Sequence, residues 1–157
     1  MKHDILAVMN LYEIFGYVQE QAWSSLPKDA NNLISALNNR QIKAMMTIYM
    51  RDAGKQEPLT LNQLAGILNM KKAAASLLIS NLAEKKLVSR TVDTENRRFI
   101  RISLAAKGRR LGDAITSQAA VHLTELLGCL TTEEQNDLAT AADKIYQRYS
   151  EKVKGVR

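Results

Sequence analysis

The sequence predicts a mainly α-helical fold with one small β-hairpin, which follows directly on a pair of short helices. Between Thr60 and Leu104, apolar residues first recur at helical spacing and then at alternate positions. Helical spacing is typical of amphipathic helices, and alternation is typical of half-buried strands. Helix, turn, helix and hairpin in this order predict a winged helix-turn-helix, a module that places its second helix in a groove of nucleic acid.

The first helix of this module begins with a capping box. Thr60 and Gln63 have the spacing at which each side chain satisfies an amide at the start of a helix. Apolar residues follow at helical offsets, and we expect this helix to end near Asn69. A second helix is predicted over residues 72–86, with an inward stripe of Ala75, Leu78, Ile79 and Leu82.

The hairpin is predicted from residues 88–92 and 100–104, with a turn at residues 93–96. Turn residues of the types Asp, Thr, Glu and Asn separate the two apolar runs. In the second strand, alternation predicts Ile100, Ile102 and Leu104 on the buried face. Phe99, Arg101 and Ser103 are then expected on the other face.

Positive charge is concentrated in this module. Residues 71–110 contain eleven basic and three acidic residues, a net charge of +8, whereas the whole chain carries +6. The rest of the chain is therefore slightly acidic. A localised basic patch gains free energy by displacing counterions from phosphates, which indicates nucleic acid. Taken without the motif, the same charges are also compatible with an ordinary solvated face.

Length and composition limit the class of protein. With 157 residues and 46% hydrophobic content, the chain is predicted to form one compact unit or a small domain with helical extensions. A single cysteine, Cys129, excludes an intramolecular disulfide and a Cys-rich zinc site. The start lacks the pattern of a signal peptide, and no run approaches the roughly 20 apolar residues of a membrane span. We therefore expect a cytoplasmic protein that does not enter a membrane.

The first predicted helix, residues 4–23, is apolar on more than one face. Ile5, Met9 and Tyr12 lie on one side, and Phe15 and Val18 lie on another. Such a helix must be covered from several directions. A second copy of the chain is the simplest cover, and a central position within a monomer is the alternative.

Three further helices complete the prediction, after a short helical segment over residues 31–37. A helix over residues 40–53 carries a Met-rich stripe, which is typical of core packing and also suits the wall of a ligand pocket. Two long helices follow, one over residues 105–128 and one opened by a capping box at Thr131. We therefore predict a helical dimerisation region, residues 1–37 and 105–157, around a winged helix-turn-helix, residues 38–104.

On these motifs the chain resembles the multiple-antibiotic-resistance regulator (MarR) family. The resemblance is most specific over residues 59–108, including the run Asn-Leu-Ala-Glu-Lys-Lys-Leu-Val at 81–88 and Asp-Thr-Glu-Asn-Arg-Arg at 93–98. It implies an intertwined helical homodimer that binds a palindromic operator in double-stranded DNA. It also implies a repressor that a small aromatic or anionic effector releases.

Four positions depart from the family's pattern. Asn96 stands where the family usually has an Asp that orients an arginine, and Lys71 replaces the usual Ser or Thr helix cap. Lys86 replaces the usual Gly, so we expect a modestly strained helix end there. At Leu77, most members of the family have an Arg or another polar residue.

The resemblance also implies which residues contact DNA. The outward face of the second helix comprises Ala73, Ser76, Leu77, Ser80, Asn81 and Glu84. Because guanine contacts need Arg or Lys, we expect Ala73 and Leu77 to contact thymine methyl groups and DNA shape to contribute the rest. The full predicted set is Thr60, Asn62, Lys71, Lys72, Ala73, Ser76, Leu77, Ser80, Asn81, Arg90, Arg97, Arg98 and Arg101, the cations among them contacting phosphates.

The resemblance implies an effector pocket between the dimer helices and the winged module. We name Tyr12, Met46 and Tyr49 as its candidate walls. Periodicity itself shows only that these side chains point inward, which packing also explains.

No enzyme chemistry is evident in the sequence. His3 and His122 lack metal-ligand spacing, and there is no phosphate loop or nucleophile elbow. We therefore predict no catalytic residue, no metal and no cofactor. His122 is expected to be a hydrogen-bonded interface residue. Cys129 is expected to be a buried, inert thiol, with a redox switch as the alternative.

The serious alternative is a winged helix that binds protein instead of DNA, because the outward helix face is apolar for its type. Salt dependence distinguishes the two, since binding to duplex DNA weakens steeply as salt rises. A protein contact built on Leu77 and Ala73 would change little.

Overall fold

The computed structural model describes residues 2–93, 96–97 and 99–154. This part of the chain contains seven helices and three strands. They are α1 (Lys2–Ser24), α2 (Lys28–Ser35), α3 (Asn39–Ala53), β1 (Leu59–Thr60), α4 (Leu61–Ile67), α5 (Lys72–Glu84), β2 (Val88–Val92), β3 (Ile100–Leu104), α6 (Ala106–Leu127) and α7 (Thr132–Lys154). The predicted residues Thr94, Glu95 and Arg98 lie outside the described residues.

The sheet has one strand more than the sequence predicted. β1 pairs with β3 in antiparallel fashion, so the strand order is β1-β3-β2. Two residues are too few to show alternation, and the partner strand is distant in sequence, so no local pattern indicated β1. The segment predicted over 31–37 also begins earlier, at Lys28, and α5 ends at Glu84 rather than Lys86.

The strand register confirms the predicted alternation of the hairpin. Val88 pairs with Leu104 and Arg90 pairs with Ile102, so these side chains share one face, while Ser89 and Ser103 share the other. Ile102 and Leu104 are buried as expected. Ile100 lies on their face but is exposed, so the prediction of its burial was wrong. Its end of the hairpin extends past the helices that cover the rest of that face.

The core lies between α3, α4, α5, the sheet and the first half of α6. Its fully buried side chains include Met45, Leu64, Ile79 and Leu111. All four residues of the predicted inward stripe of α5 are buried, as the helical spacing required. This burial fixes which side of α5 faces outward.

Three helices end in a left-handed residue that is not glycine: Lys55, Asn69 and Lys86, with φ of 52°, 50° and 59°. At the end of α5, the Lys86 amide donates to the Ala83 carbonyl at 2.9 Å and the Leu87 amide donates to the Leu82 carbonyl at 3.0 Å. This pair of bonds is a Schellman motif. A side chain in this conformation costs about 1–2 kcal/mol, so the strained end predicted at Lys86 is confirmed.

The predicted capping box of the last helix is confirmed. The Glu134 amide donates to the Thr131 hydroxyl, and the Glu134 carboxylate accepts from the Thr131 amide at 2.8 Å. The hydrogen bond from the Thr131 amide, followed by that from the Thr131 hydroxyl, lowers the pKa of Glu134.

Cys129 and His122 lie in or next to the C-terminal helices, and the structure shows the hydrogen bond predicted for one but not the burial predicted for the other. Cys129 lies in the turn between α6 and α7 and is exposed, so the prediction of a buried thiol was wrong. The turn projects the thiol away from the core, which ends near Ile115 on α6. His122 is half-buried and its Nε2 lies 3.2 Å from the Ser25 hydroxyl, so its predicted hydrogen bond is present.

α1 is largely exposed on the single chain. It packs along α6, and Val18 and Ala22 near its C-terminal end are buried. Earlier along the helix, large apolar side chains are more than half exposed, namely Ile5, Leu6, Val8, Met9, Tyr12, Phe15 and Tyr17. In the part of the chain that the structure describes, no helix combines the length and apolar character needed to cross a bilayer.

We expect Lys86→Gly to stabilise the protein by about 1 kcal/mol, because glycine adopts the left-handed conformation without the Cβ penalty. Urea unfolding followed by circular dichroism measures the change as a higher midpoint at constant slope.

Lys85→Gly is the matched control, because Lys85 has an ordinary right-handed conformation with φ of −74°. Glycine there costs about 0.5–1 kcal/mol, so the two neighbouring substitutions should shift the midpoint in opposite directions. Equal shifts would contradict the strain at Lys86.

Candidate nucleic-acid interface

The outward face of α5 is a shallow, mostly uncharged surface. Leu77 is 65% exposed and Ala73 is also exposed, while Ser76, Ser80 and Asn81 are half-buried beside them. The structure therefore places all five together, as the predicted outward face. That these residues contact DNA stays a prediction.

Two lysines stand at the start of α5. Lys71 is the residue before the helix and makes no side-chain cap, yet its carbonyl accepts the first helical hydrogen bond, from the Ala75 amide at 3.0 Å. Lys71 and Lys72 are both exposed. Their ammonium groups and the unpaired amides of the helix start favour an anion at this end.

The other predicted contacts at the front of the module, Thr60 and Asn62, lie at the start of α4, where Thr60 is the N-cap. The Thr60 hydroxyl accepts from the Gln63 amide at 3.3 Å, and the Gln63 side chain accepts from the Thr60 amide at 2.8 Å. The predicted capping box is thus confirmed, and it occupies the Thr60 hydroxyl. Asn62 is exposed in the first turn of the helix.

An open groove of about 660 Å³ runs between α5 and the start of α3. Leu77 and Asn81 line one side, and Arg40 lines the other. Arg40 is exposed and was not among the residues singled out from the sequence. Sequence gave no signal for it, because only the folded chain brings the first turn of α3 beside the outward face of α5.

The wing is held by a buried carboxylate. Asp93, 8% exposed, forms a salt bridge with Arg101 Nε and accepts from the Asn96 amide at 2.8 Å. Arg101 also donates to the Pro58 carbonyl at 3.1 Å and lies 3.5 Å from the Glu57 carboxylate. Asp93 thus orients an arginine of the wing, a role that the family's pattern placed at position 96.

This network includes one of the predicted phosphate contacts, Arg101. Arg101 is half-buried, and much of its donor capacity serves Asp93 and Pro58. Arg97 lies exposed in the turn of the wing. Arg98 lies outside the described residues. The contacts of all three with phosphate remain predictions.

The candidate effector residues do not form one cluster in the single chain. Met46 and Tyr49 are half-buried and pack against the core, whereas Tyr12 is 76% exposed on α1. The Tyr49 hydroxyl donates to the Asp113 carboxylate at 2.9 Å. Gly112 is required beneath the ring, because a Cβ there would lie 2.2 Å from Tyr49 Cδ2.

An exposed second helix, cations at its start and an exposed arginine in the wing are typical of the class of winged helix-turn-helix transcription regulators. A family model described as the MarR family matches residues 37–100, which span α3 to the beginning of β3. Over this segment the chain is similar to the MarR family, a family of transcriptional regulators.

Individual proteins are similar to the chain in sequence or in fold. The chain is 23% identical over 115 residues to the HTH-type transcriptional repressor MdtR of Bacillus subtilis, covering 73% of this chain and 74% of MdtR. Its fold is similar to that of MepR, a transcription regulator of the Staphylococcus aureus efflux pump MepA, with a TM-score of 0.60, 24% identity and coverage of 95% and 99%. YusO of Bacillus subtilis gives a TM-score of 0.56, 22% identity and coverage of 93% and 94%.

We expect Leu77→Arg to change which duplexes the protein prefers. If Leu77 faces the major groove, an arginine there can form two hydrogen bonds with guanine, worth about 1–3 kcal/mol of discrimination. Relative affinities for a panel of duplexes that differ at single base pairs measure the effect.

Ala106→Arg is the matched control, since Ala106 is exposed at the start of α6 and the substitution adds the same charge. It should raise affinity for all duplexes alike and leave their order unchanged. An unchanged order for Leu77→Arg as well would remove Leu77 from the groove.

Proposed function

We propose that the protein is a MarR-type repressor that binds a palindromic operator as a homodimer and is released by a small effector. The observation that carries this proposal is the exposed outward face of α5, centred on Leu77 and flanked by Lys71 and Lys72. A structure of MepR in complex with DNA and the naming of MdtR as a repressor support it.

In this proposal phosphates supply most of the affinity and α5 supplies the base contacts. Exposed lysines and arginines release counterions when they meet the duplex backbone, whatever its sequence. Ala73 and Leu77 have only apolar surface to offer, which suits the methyl group of thymine. Arg40 is added to the predicted phosphate contacts, because it borders the same groove.

The homodimer is supported by apolar surface that the single chain leaves exposed. α1 exposes large apolar side chains over most of its length, and α7 exposes Ile145, Tyr146 and Tyr149. Clusters of exposed apolar side chains are typical of interfaces. Residues 1–37 and 105–157 would then clasp a second copy, and residues 38–104 would form each DNA-binding head.

The effector part of the proposal is supported by a structure of MepR bound to ethidium bromide. Tyr12 lies on the proposed dimerisation helix, and Met46 and Tyr49 lie on α3 of the head. A pocket formed by all three would therefore lie where the two regions meet. Occupancy there can shift the heads relative to each other only if the effector binds one arrangement more tightly.

Selection of bound sequences from a random duplex pool at fixed salt tests the function. We expect a two-fold symmetric site whose half-sites are about one helical turn apart, and an affinity that falls steeply with salt. No enrichment at low salt, or binding indifferent to salt, would reject DNA as the partner and favour a protein ligand on Leu77 and Ala73.

Phe15→Asp should weaken the dimer, because it places a charge in the apolar surface of α1, where Phe15 is 60% exposed. Sedimentation velocity over a range of protein concentrations measures the effect. Leu77→Asp is the control, since Leu77 is exposed to a similar extent but lies on α5. A dimer weakened equally by both, or by neither, would contradict the proposed interface.

A further inference from the structure

The direction of the Arg90 side chain follows from the strand register. Arg90 in β2 pairs with Ile102 in β3, and directly paired residues of antiparallel strands share a face. Ile102 is only 1% exposed. Arg90 therefore starts from the face of the hairpin that packs against the helices, at a position where the pattern of Val88 and Val92 would place an apolar residue.

The Arg90 guanidinium ends on α5. Its Nη2 donates to the Ser76 carbonyl and to the Ser80 hydroxyl, each at 2.9 Å. The Ser80 hydroxyl in turn donates to the Ser76 carbonyl at 3.0 Å. Three hydrogen bonds thus form a closed ring on the helix turn that carries Leu77. Two of its members lie on α5, and the third, Arg90, lies on the wing.

Arg90 lies where packing between wing and helix ends. Val88, one pair nearer the body, is buried with its partner Leu104. Val92 and Ile100, one pair nearer the tip, are 60% and 43% exposed. Arg90 therefore links wing and helix at the edge of the core, where apolar contacts no longer do so.

We propose that Arg90 is a positioning residue that ties the wing to α5 through Ser76 and Ser80 and so contributes to sequence specificity. It acts through the placement of Ala73 and Leu77 against the bases rather than as one more phosphate contact. The proposal rests on the proposed function, because it requires that α5 faces DNA. The sequence predicted Arg90 as a phosphate contact, and this proposal gives it a structural role instead.

The physical reason lies in the weakness of the base contacts. An apolar contact with a thymine methyl group has short range and no donor that can reach across a gap. A small rotation of α5 would therefore lose it, whereas a flexible lysine can still reach a phosphate. Specific binding should depend on the ring of hydrogen bonds, and binding to unrelated DNA should not.

The experiment compares Arg90→Ala with wild type on two duplexes. One is the duplex most enriched from the random pool, and the other is a scrambled duplex of the same length and composition. The ratio of the two affinities measures specificity, and the slope of affinity against salt counts neutralised phosphates. Lys72→Ala is the control, as an exposed cation at the start of α5.

We expect Arg90→Ala to lower the affinity ratio at least about fivefold, the size of a typical hydrogen-bond contribution. Lys72→Ala should instead lower the salt slope by about one and weaken both duplexes alike. An unchanged affinity ratio for Arg90→Ala, with or without a smaller salt slope, would overturn the proposal.

Ser80→Ala gives a second route that does not depend on removing the arginine. If Arg90 acts through Ser80, the double variant loses less specificity than the two single variants combined. Additive losses would overturn this coupling. Thermal unfolding of the same four proteins shows whether the bonds exist in the free protein. The two substitutions could be coupled in thermal unfolding while the wild type binds no duplex. That result would contradict the proposed function and leave the hydrogen bonds between Arg90 and α5 intact.

Discussion

The placement of the outward face of α5 and of the wing depends on the burial of one stripe of α5. Ala75, Leu78, Ile79 and Leu82 are each in the core, and full burial of an aliphatic side chain contributes about 1.5–3 kcal/mol. A rotation by one residue would expose most of this stripe and bury Ser76 and Ser80 instead. Burial of this stripe therefore determines which face of α5 points outward. The Schellman motif at Lys86 then sets the direction in which the chain leaves for the wing, at a cost in backbone strain.

The wing is attached differently on its two faces, and the strand register explains why. Arg90 and Arg101 lie on neighbouring strands with opposite orientation. Arg90 bonds to α5 and Arg101 bonds to Asp93 and to the segment before β1. Both are charged hydrogen bonds that involve backbone carbonyls, which are stronger than neutral ones. Each of these strands thus has an arginine that is hydrogen-bonded within the protein. In the proposed function, other exposed cations such as Lys72 and Arg97 then attract phosphate.

Local patterns predicted most of this architecture. The spacing of apolar residues gave the helices, the alternation gave both hairpin strands, and the boxes at Thr60 and Thr131 gave two helix starts. The features that the sequence did not predict depend on contacts between residues distant in the chain. β1 exists only because β3 offers it a partner, and the exposure of Cys129 depends on where the α6–α7 turn projects. The direction of Arg90 could have been predicted from Val88 and Val92, but its partners on α5 could not.

In the proposed function, the composition of the outward face explains why the position of α5 against the bases matters. An arginine side chain is long and flexible, so it can still reach a base edge when the helix that bears it shifts slightly. Leu77 and Ala73 are shorter, and in the proposed function their contribution to specificity depends on close fit to the base. A helix whose base contacts are apolar therefore needs a stiff attachment, and the structure offers one in the ring of Arg90, Ser76 and Ser80. The outward face of α5 has no arginine of its own. In the proposed arrangement Arg90 acts on that face from the wing, through Ser76 and Ser80.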